Sequence, residues 1–190
     1  QVATNVHQVA FVDHRRRDEI RWNPNETSKV DWEVELAIII GRSAFRVPEA
    51  DAFDYIAGYT VCNDVSARDL QMEKGDQWVR GKSIDTFCPL GPALVTRDEV
   101  PDPHNLTLGC TVNGQVVQDS NTKELIFKIP YLIEYLSRAF TLLPGDVIIT
   151  GTPPGVGAFR KPPVFLKDGD IVTVEVEGLG QLTNPCVEES

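Results

Sequence analysis

Glu33, Glu35 and Asp64 are the residues whose types and positions could do chemistry together. Glu33 and Glu35 interrupt the apolar stretch V-D-W-E-V-E-L-A-I-I-I-G at residues 30–41, and Asp64 closes the β-rich run Y-T-V-C-N-D. A carboxylate among apolar neighbours needs a cation or a proton. No histidine or cysteine pair stands at a spacing that suits zinc. An all-oxygen set of three acids suits a hard cation, Mg2+ or Mn2+ with Ca2+ as a third candidate, which keeps positions open for water and a chelating substrate. Lys82 lies in R-G-K-S, a glycine-flanked turn expected to be extended, and taken alone it reads equally as a surface lysine or an anion clamp. G-K-S is no phosphate loop, because that motif needs a glycine at position 76, where the chain has Asp. His14 ends a short apolar strand candidate, V-A-F-V-D-H, before three arginines; histidine titrates in a useful range, although such a residue is more commonly a hydrogen-bonded surface group.

Several elements must hold these side chains. In a strand over residues 30–41, Glu33, Glu35, Ala37 and Ile39 share one face, and Trp32, Val34, Leu36 and Ile38 share the other. The second set is core. The first is either buried or cleft-lining at its acidic end, or the wet face of an edge strand. Residues 48–58 read as a short connecting helix, Pro48 in its first turn and Gly58 as its cap. A strand over residues 59–63 then delivers the polar cluster N-D-V-S-A-R-D-L-Q, in which Asp64 or Ser66 could also serve as a helix N-cap.

The second half is mostly β. Asn113-Gly114 between two apolar runs predicts a hairpin. Residues 129–140 carry the one long helical pattern, with Pro130 at its start and Ile129, Leu132, Ile133, Leu136 and Phe140 facing the core. Residues 144–157 form a strand bracketed by turns, rich in backbone N–H groups free to face a ligand, without the pattern of a dinucleotide fold. K-D-G-D at residues 167–170 reads as a hairpin turn, and residues 171–177 alternate as a half-exposed strand.

Composition narrows the partners. The chain has 190 residues, enough for one ordinary domain. Lys and Arg number 18 against 28 Asp and Glu, a net charge of -10, which argues against nucleic acid as a partner. The four cysteines are scattered through apolar segments, as reduced core thiols are. No run reaches the length of a membrane span and no signal core opens the chain, so a cytoplasmic location with no membrane partner is expected. A chain that starts at Gln1 is expected to have lost at least its initiator.

Five blocks together resemble the fumarylacetoacetate hydrolase family: V-D-W-E-V-E-L-A-I-I-I-G-R, G-Y-T-V-C-N-D-V-S-A-R-D-L-Q, R-G-K-S-I-D-T-F-C-P-L-G-P, V-N-G-Q-V-V-Q-D-S-N-T and G-D-V-I-I-T-G-T-P-P-G-V-G. They stand in the family's usual order from residue 30 onward and resemble most its acylpyruvase and 2-hydroxyhepta-2,4-diene-1,7-dioate isomerase-like members. The resemblance implies a mostly β (α+β) fold with a mixed rolled sheet and few short helices, usually a homodimer. Residues 31–190 would be the catalytic domain and residues 1–30 an N-terminal segment. It also implies a divalent cation held by Glu33, Glu35 and Asp64, with Lys82 beside metal and substrate and Arg68, Gln71 and Thr152 lining the same pocket. The substrate would be a small 2-oxo acid or diacid. The leading expectation is hydrolysis of a C–C bond in an acylpyruvate- or fumarylpyruvate-like 2,4-dioxo acid through an enolate; oxaloacetate decarboxylation and dienoate isomerisation are the alternatives.

One departure stands out. Hydrolytic members resemble one another in a V-D-H stretch whose histidine, His14 here, pairs with a glutamate on a following lid helix to activate water. The roughly 16 residues between His14 and Asp31 are too few for a helix and its return. The lid region is therefore expected to be missing or truncated, and the dyad glutamate cannot be named; Glu19 is a poor substitute.

Overall fold

The computed structural model describes residues 19–75 and 77–189. The V-A-F-V strand candidate and His14 lie outside the described residues. In chain order the elements are β1 (Ile20–Trp22), β2 (Val30–Asp31), β3 (Val34–Ile40), β4 (Ile56–Asn63), β5 (Ser66–Ala67), α1 (Arg68–Met72), β6 (Leu90–Thr96), β7 (Thr107–Val112), β8 (Gln115–Asn121), α2 (Ile129–Ala139), β9 (Val147–Ile149), β10 (Ile171–Val176) and β11 (Gly180–Glu188).

The fold is mostly β, as expected. One sheet has the order β1-β11-β10-β7-β8, and a second the order β6-β4-β3-β9, with β2 and β5 forming a small ribbon. β1 runs parallel to β11 while the other pairs are antiparallel, so the larger sheet is mixed. The two larger sheets face each other, β10 against β4 and β11 against β6. Between them lies a continuous core that includes Trp22, Trp32, Leu36, Ile38, Tyr59, Val172 and Val174. Burying each large side chain of this kind stabilises the fold by about 1.5–3 kcal/mol.

β3 is a central strand, covered on both sides by β4 and β9. Its acidic face is therefore buried, and the wet edge-strand alternative does not arise. The predicted strand is also interrupted, since Trp32 and Glu33 belong to neither β2 nor β3. Two side-chain amides replace the ladder there: Asn63 Oδ1 accepts from Glu33 N at 3.0 Å and Gln118 Oε1 accepts from Val34 N at 3.1 Å.

Other expectations shift in kind. Residues 49–55 wind as a 3₁₀ segment that passes straight into β4, so Gly58 pairs with Thr96 inside a strand and caps no helix. The β-branched and aromatic run Tyr59-Thr60-Val61 favours extension at that point. The K-D-G-D turn leads into β10 with no strand before it, hence no hairpin. The Asn113-Gly114 hairpin forms between β7 and β8, both turn residues having positive φ, as a type I′ turn requires. No helix among the described residues is long and apolar enough to cross a membrane.

α2 begins at Ile129 with no side-chain cap from Lys128; instead His104 Nε2 accepts from Ile129 N at 3.1 Å. Only a neutral imidazole can accept there. Burial, aided by the charge of Lys128, holds the His104 pKa below its ordinary value. A depressed folded pKa means that the stabilisation is present above the unfolded value and lost as pH falls through the folded one. We therefore expect His104→Ala to reduce stability by about 1 kcal/mol at pH 8, the gap to wild type closing as pH drops well below about 6.5; denaturant melts at several pH values measure it.

Candidate metal centre

Glu35 projects from β3, Glu33 from the break just before it, and Asp64 from the residue after β4. The strand pairing brings them together, because Glu35 lies opposite Cys62 and Asp64 N donates to Glu33 O at 2.8 Å. All three are buried, and one ligand oxygen from each lies within 4.8 Å of the others.

Lys82 follows a 3₁₀ turn at Trp78–Gly81, which replaces the expected extended turn. Gly81 makes that position reachable. A Cβ on it would come 2.7 Å from Ala67 O and from Gln71 Cβ, so only glycine lets this turn pack on α1. Lys82 Nζ then donates to Glu33 Oε2 at 2.8 Å and to Asp64 Oδ2 at 2.5 Å. Arg68, first residue of α1, donates from NH2 to Glu33 Oε1 at 2.6 Å and from NH1 to Gln71 Oε1 at 3.0 Å. Neither Asp64 nor Ser66 caps α1; Ser66 Oγ donates to Asp64 O instead.

The loop after β9 closes another side. Gly151 N donates to Glu35 Oε2 at 2.5 Å, and Thr152 Oγ1 donates to Val34 O at 3.0 Å while accepting from Gln118 Nε2 at 2.8 Å. The N–H groups expected to be free for a ligand are therefore not free at Gly151 and Gly157, which bond carboxylates of the protein itself.

These charges do not balance by themselves. Burial raises the Glu35 pKa well above the usual carboxylate range, and the neighbouring Asp64 and Glu33 push the same way. Asp64 is raised to about 6, burial outweighing the pull of Lys82. Glu33 is also penalised by burial, yet Lys82 and Arg68 together hold it below its ordinary value. The connected network contains four buried acids, Asp31, Glu33, Glu35 and Asp64, and two cations, Arg68 and Lys82, a difference of two charges. Within it, Glu35 Oε1 and Asp64 Oδ1 are buried with no hydrogen-bond partner. Orphaned carboxylate oxygens and a deficit of two positive charges fit a divalent cation with hard-oxygen preference.

Sequence reasoning thus grouped Glu33, Glu35, Asp64, Lys82, Arg68 and Gln71 as the structure places them, with Thr152 on the adjoining loop. It missed Asp31, Asn63 and Gln118. Gln118 gave no usable signal, since the plain register of the turn would set Val117 opposite the buried Cys110, and only a bulge between Cys110 and Thr111 brings Gln118 there. All four cysteines are free and buried, as expected. Cys62 and Cys88 lie 3.5 Å apart, sulfur to sulfur, and their mutual hydrogen bond and burial push the Cys62 thiol pKa up.

Fold and site define a β-rich domain with a buried candidate centre for a divalent metal. Residues 7–187 match the profile described as "Fumarylacetoacetate (FAA) hydrolase C-terminal", and the chain belongs to that family. It is 59% identical over 165 residues to a Xenopus laevis protein named oxaloacetate tautomerase fahd2, mitochondrial, covering 86% of this chain and 52% of the relative. The chain therefore spans about half the length of that relative, whose name points to mitochondria and not to the cytoplasm expected here. Among solved structures, a fumarylacetoacetate hydrolase from Exiguobacterium antarcticum superposes with a TM-score of 0.87 at 44% identity, covering 90% of this chain and 61% of the other. A 5-carboxymethyl-2-hydroxymuconate delta-isomerase from Mycobacterium smegmatis gives 0.82 at 50% identity, covering 91% and 64%.

Metal should compensate the buried acids. Manganese at one hundred times its dissociation constant is expected to add about 2.7 kcal/mol of stability, read as a rise in melting temperature, and Glu35→Gln should abolish most of that rise. Because the Glu35 pKa is raised in the folded state, its burial becomes more unfavourable as pH rises past the unfolded value. Metal-free Glu35→Gln should accordingly melt above metal-free wild type at pH 8.

Proposed function

We propose that this domain belongs to a divalent-metal-dependent enzyme that moves a proton on a small 2-oxo diacid, interconverting the keto and enol forms of an oxaloacetate-like substrate. The observation that carries this reading is the buried triad Glu33, Glu35 and Asp64 with two unbonded oxygens, held against the Lys82 ammonium. The oxaloacetate tautomerase name of a 59% identical relative supports the choice of reaction.

A magnesium or manganese ion bound by Glu33, Glu35 and Asp64 would supply Lewis-acid polarisation of the 2-oxo group. In enolisation a C3–H bond breaks, its proton passing to solvent water and its electron pair forming the C2–C3 double bond, while the C2=O π pair moves onto the C2 oxygen, which then takes a proton from solvent. Lys82 serves that oxygen. Burial opposes its charge, but Glu33 and Asp64 outweigh burial and raise its pKa, so it stays an ammonium. A fixed positive charge beside a developing oxyanion lowers the barrier. Arg68, Gln71 and Thr152, beside the triad, would face the substrate carboxylates.

The same charges would serve C–C hydrolysis of a fumarylpyruvate-like acid, decarboxylation of oxaloacetate or isomerisation of a dienoate. Hydrolysis also requires a base that activates water. His14 is the candidate for that role, and it lies outside the described residues.

The test follows the ultraviolet absorbance of enol oxaloacetate with magnesium or manganese, beside acylpyruvate and fumarylpyruvate cleavage. Wild type should accelerate the keto–enol interconversion, chelation or the Glu33→Gln/Glu35→Gln double variant should abolish the effect, and Lys82→Met should lower kcat by about 10²–10³. If fumarylpyruvate is cleaved while enol oxaloacetate decays no faster than in buffer, the hydrolase reading replaces this one.

A further inference from the structure

Asp31 is a fully buried carboxylate outside the ligand triad, and every direction around it is used. Oδ1 accepts from Trp32 N at 2.9 Å and from Gly157 N at 2.7 Å. Oδ2 accepts from Arg68 Nε at 2.9 Å and from Ala158 N at 2.9 Å. Four donors, one a guanidinium, hold it with no rotational freedom. Gly157 is fitted to this contact: a Cβ there would meet Val164 O at 1.9 Å and Asp31 Oδ1 at 2.9 Å.

Asp31 touches neither Glu35 nor Asp64, yet it governs how two of the ligand acids are presented. Through Arg68 it acts on Glu33. The guanidinium places Nε on Asp31 and NH2 on Glu33, so the plane fixed by the first acid aims the second. Through the backbone it acts on the loop over Glu35. The segment from Gly151 to Ala158 is tied at its start to Glu35 and at its end to Asp31.

We propose that Asp31 is the positioning residue of the metal centre, setting the orientation of Glu33 through Arg68 and anchoring the loop whose other end bonds Glu35. The inference rests on the metal-dependent reading above. Residues that orient a ligand without touching the metal commonly change metal affinity 10–100-fold when removed.

Asp31→Asn is the direct probe. The variant keeps the shape of the side chain, but its amide nitrogen must face donors on either side, and Arg68 loses its counter-charge. Arg68→Lys is the second, keeping the charge while a single nitrogen cannot bridge Asp31 and Glu33 in one plane. Manganese affinity of the metal-free proteins is measured by calorimetry, so the readout does not depend on turnover. Each single variant should bind manganese 10–100-fold more weakly, and the double variant no more weakly than the worse single, because both break one relay. Ile133→Ala, a buried site in α2, which packs on residues 49–55, should lower the melting temperature but keep wild-type manganese affinity. The proposal is overturned if Asp31→Asn binds manganese as wild type does. It is equally overturned if the two losses multiply in the double variant, or if Ile133→Ala loses affinity to the same degree. If Asp31→Asn does not fold, wild-type affinity in Arg68→Lys overturns it and a 10–100-fold loss supports it. Wild type that takes up no manganese would overturn both this inference and the metal-dependent function, whereas failure of the variants alone leaves the function standing.

Discussion

The structure depends on how four buried carboxylates are kept apart from water with only two cations among them. Each buried ion costs several kcal/mol unless it is paired and hydrogen-bonded. Arg68 and Lys82 meet that demand at Asp31 and Glu33, where every close contact is a charge-assisted bond. They do not meet it at Glu35 and at one oxygen of Asp64. The imbalance is local and directional, concentrated on the side of the cluster where a ligand ion would sit. A site that stores such unfavourable charge in its empty state gains binding free energy when a cation removes it.

The surrounding architecture makes that storage feasible. β3 lies inside its sheet, flanked by two strands, and the facing sheet covers its other side. Acids on an edge strand would simply hydrate. The break between β2 and β3 adds a second element, since the chain there leaves the ladder and the amides of Asn63 and Gln118 take over its hydrogen bonds. Glu33 is thereby freed from the strict alternation of a strand and can turn toward Asp64 and Lys82.

What the sequence disclosed was local. Two glutamates two residues apart in an apolar run, a turn-forming Asn-Gly pair and an apolar helical repeat each carry their meaning within a few residues, and β3, the β7–β8 hairpin and α2 formed accordingly. The acid triad was legible because burial of charge is a strong constraint even before a fold is known. Asp31 and Gln118 were not legible, because their partners lie 37 and 126 residues away in one case, and 34 and 84 in the other. A polar residue inside a strand looks the same whether it faces water or bonds a distant loop. Lys82 stood between, its type suggestive and its place decided only by the close packing of Gly81 on α1.

The loop from Gly151 to Ala158 is fastened to the acids by main-chain groups, the amides of Gly151, Gly157 and Ala158. Backbone donors are the same whatever side chain the residue bears, provided the chain can adopt the path. The intervening Pro153, Pro154 and Val156 can therefore be exchanged by mutation without removing a single anchor from the cluster. Such a loop separates two evolutionary tasks: the placement of the acids is inherited through the backbone, while the side chains between the anchors can drift.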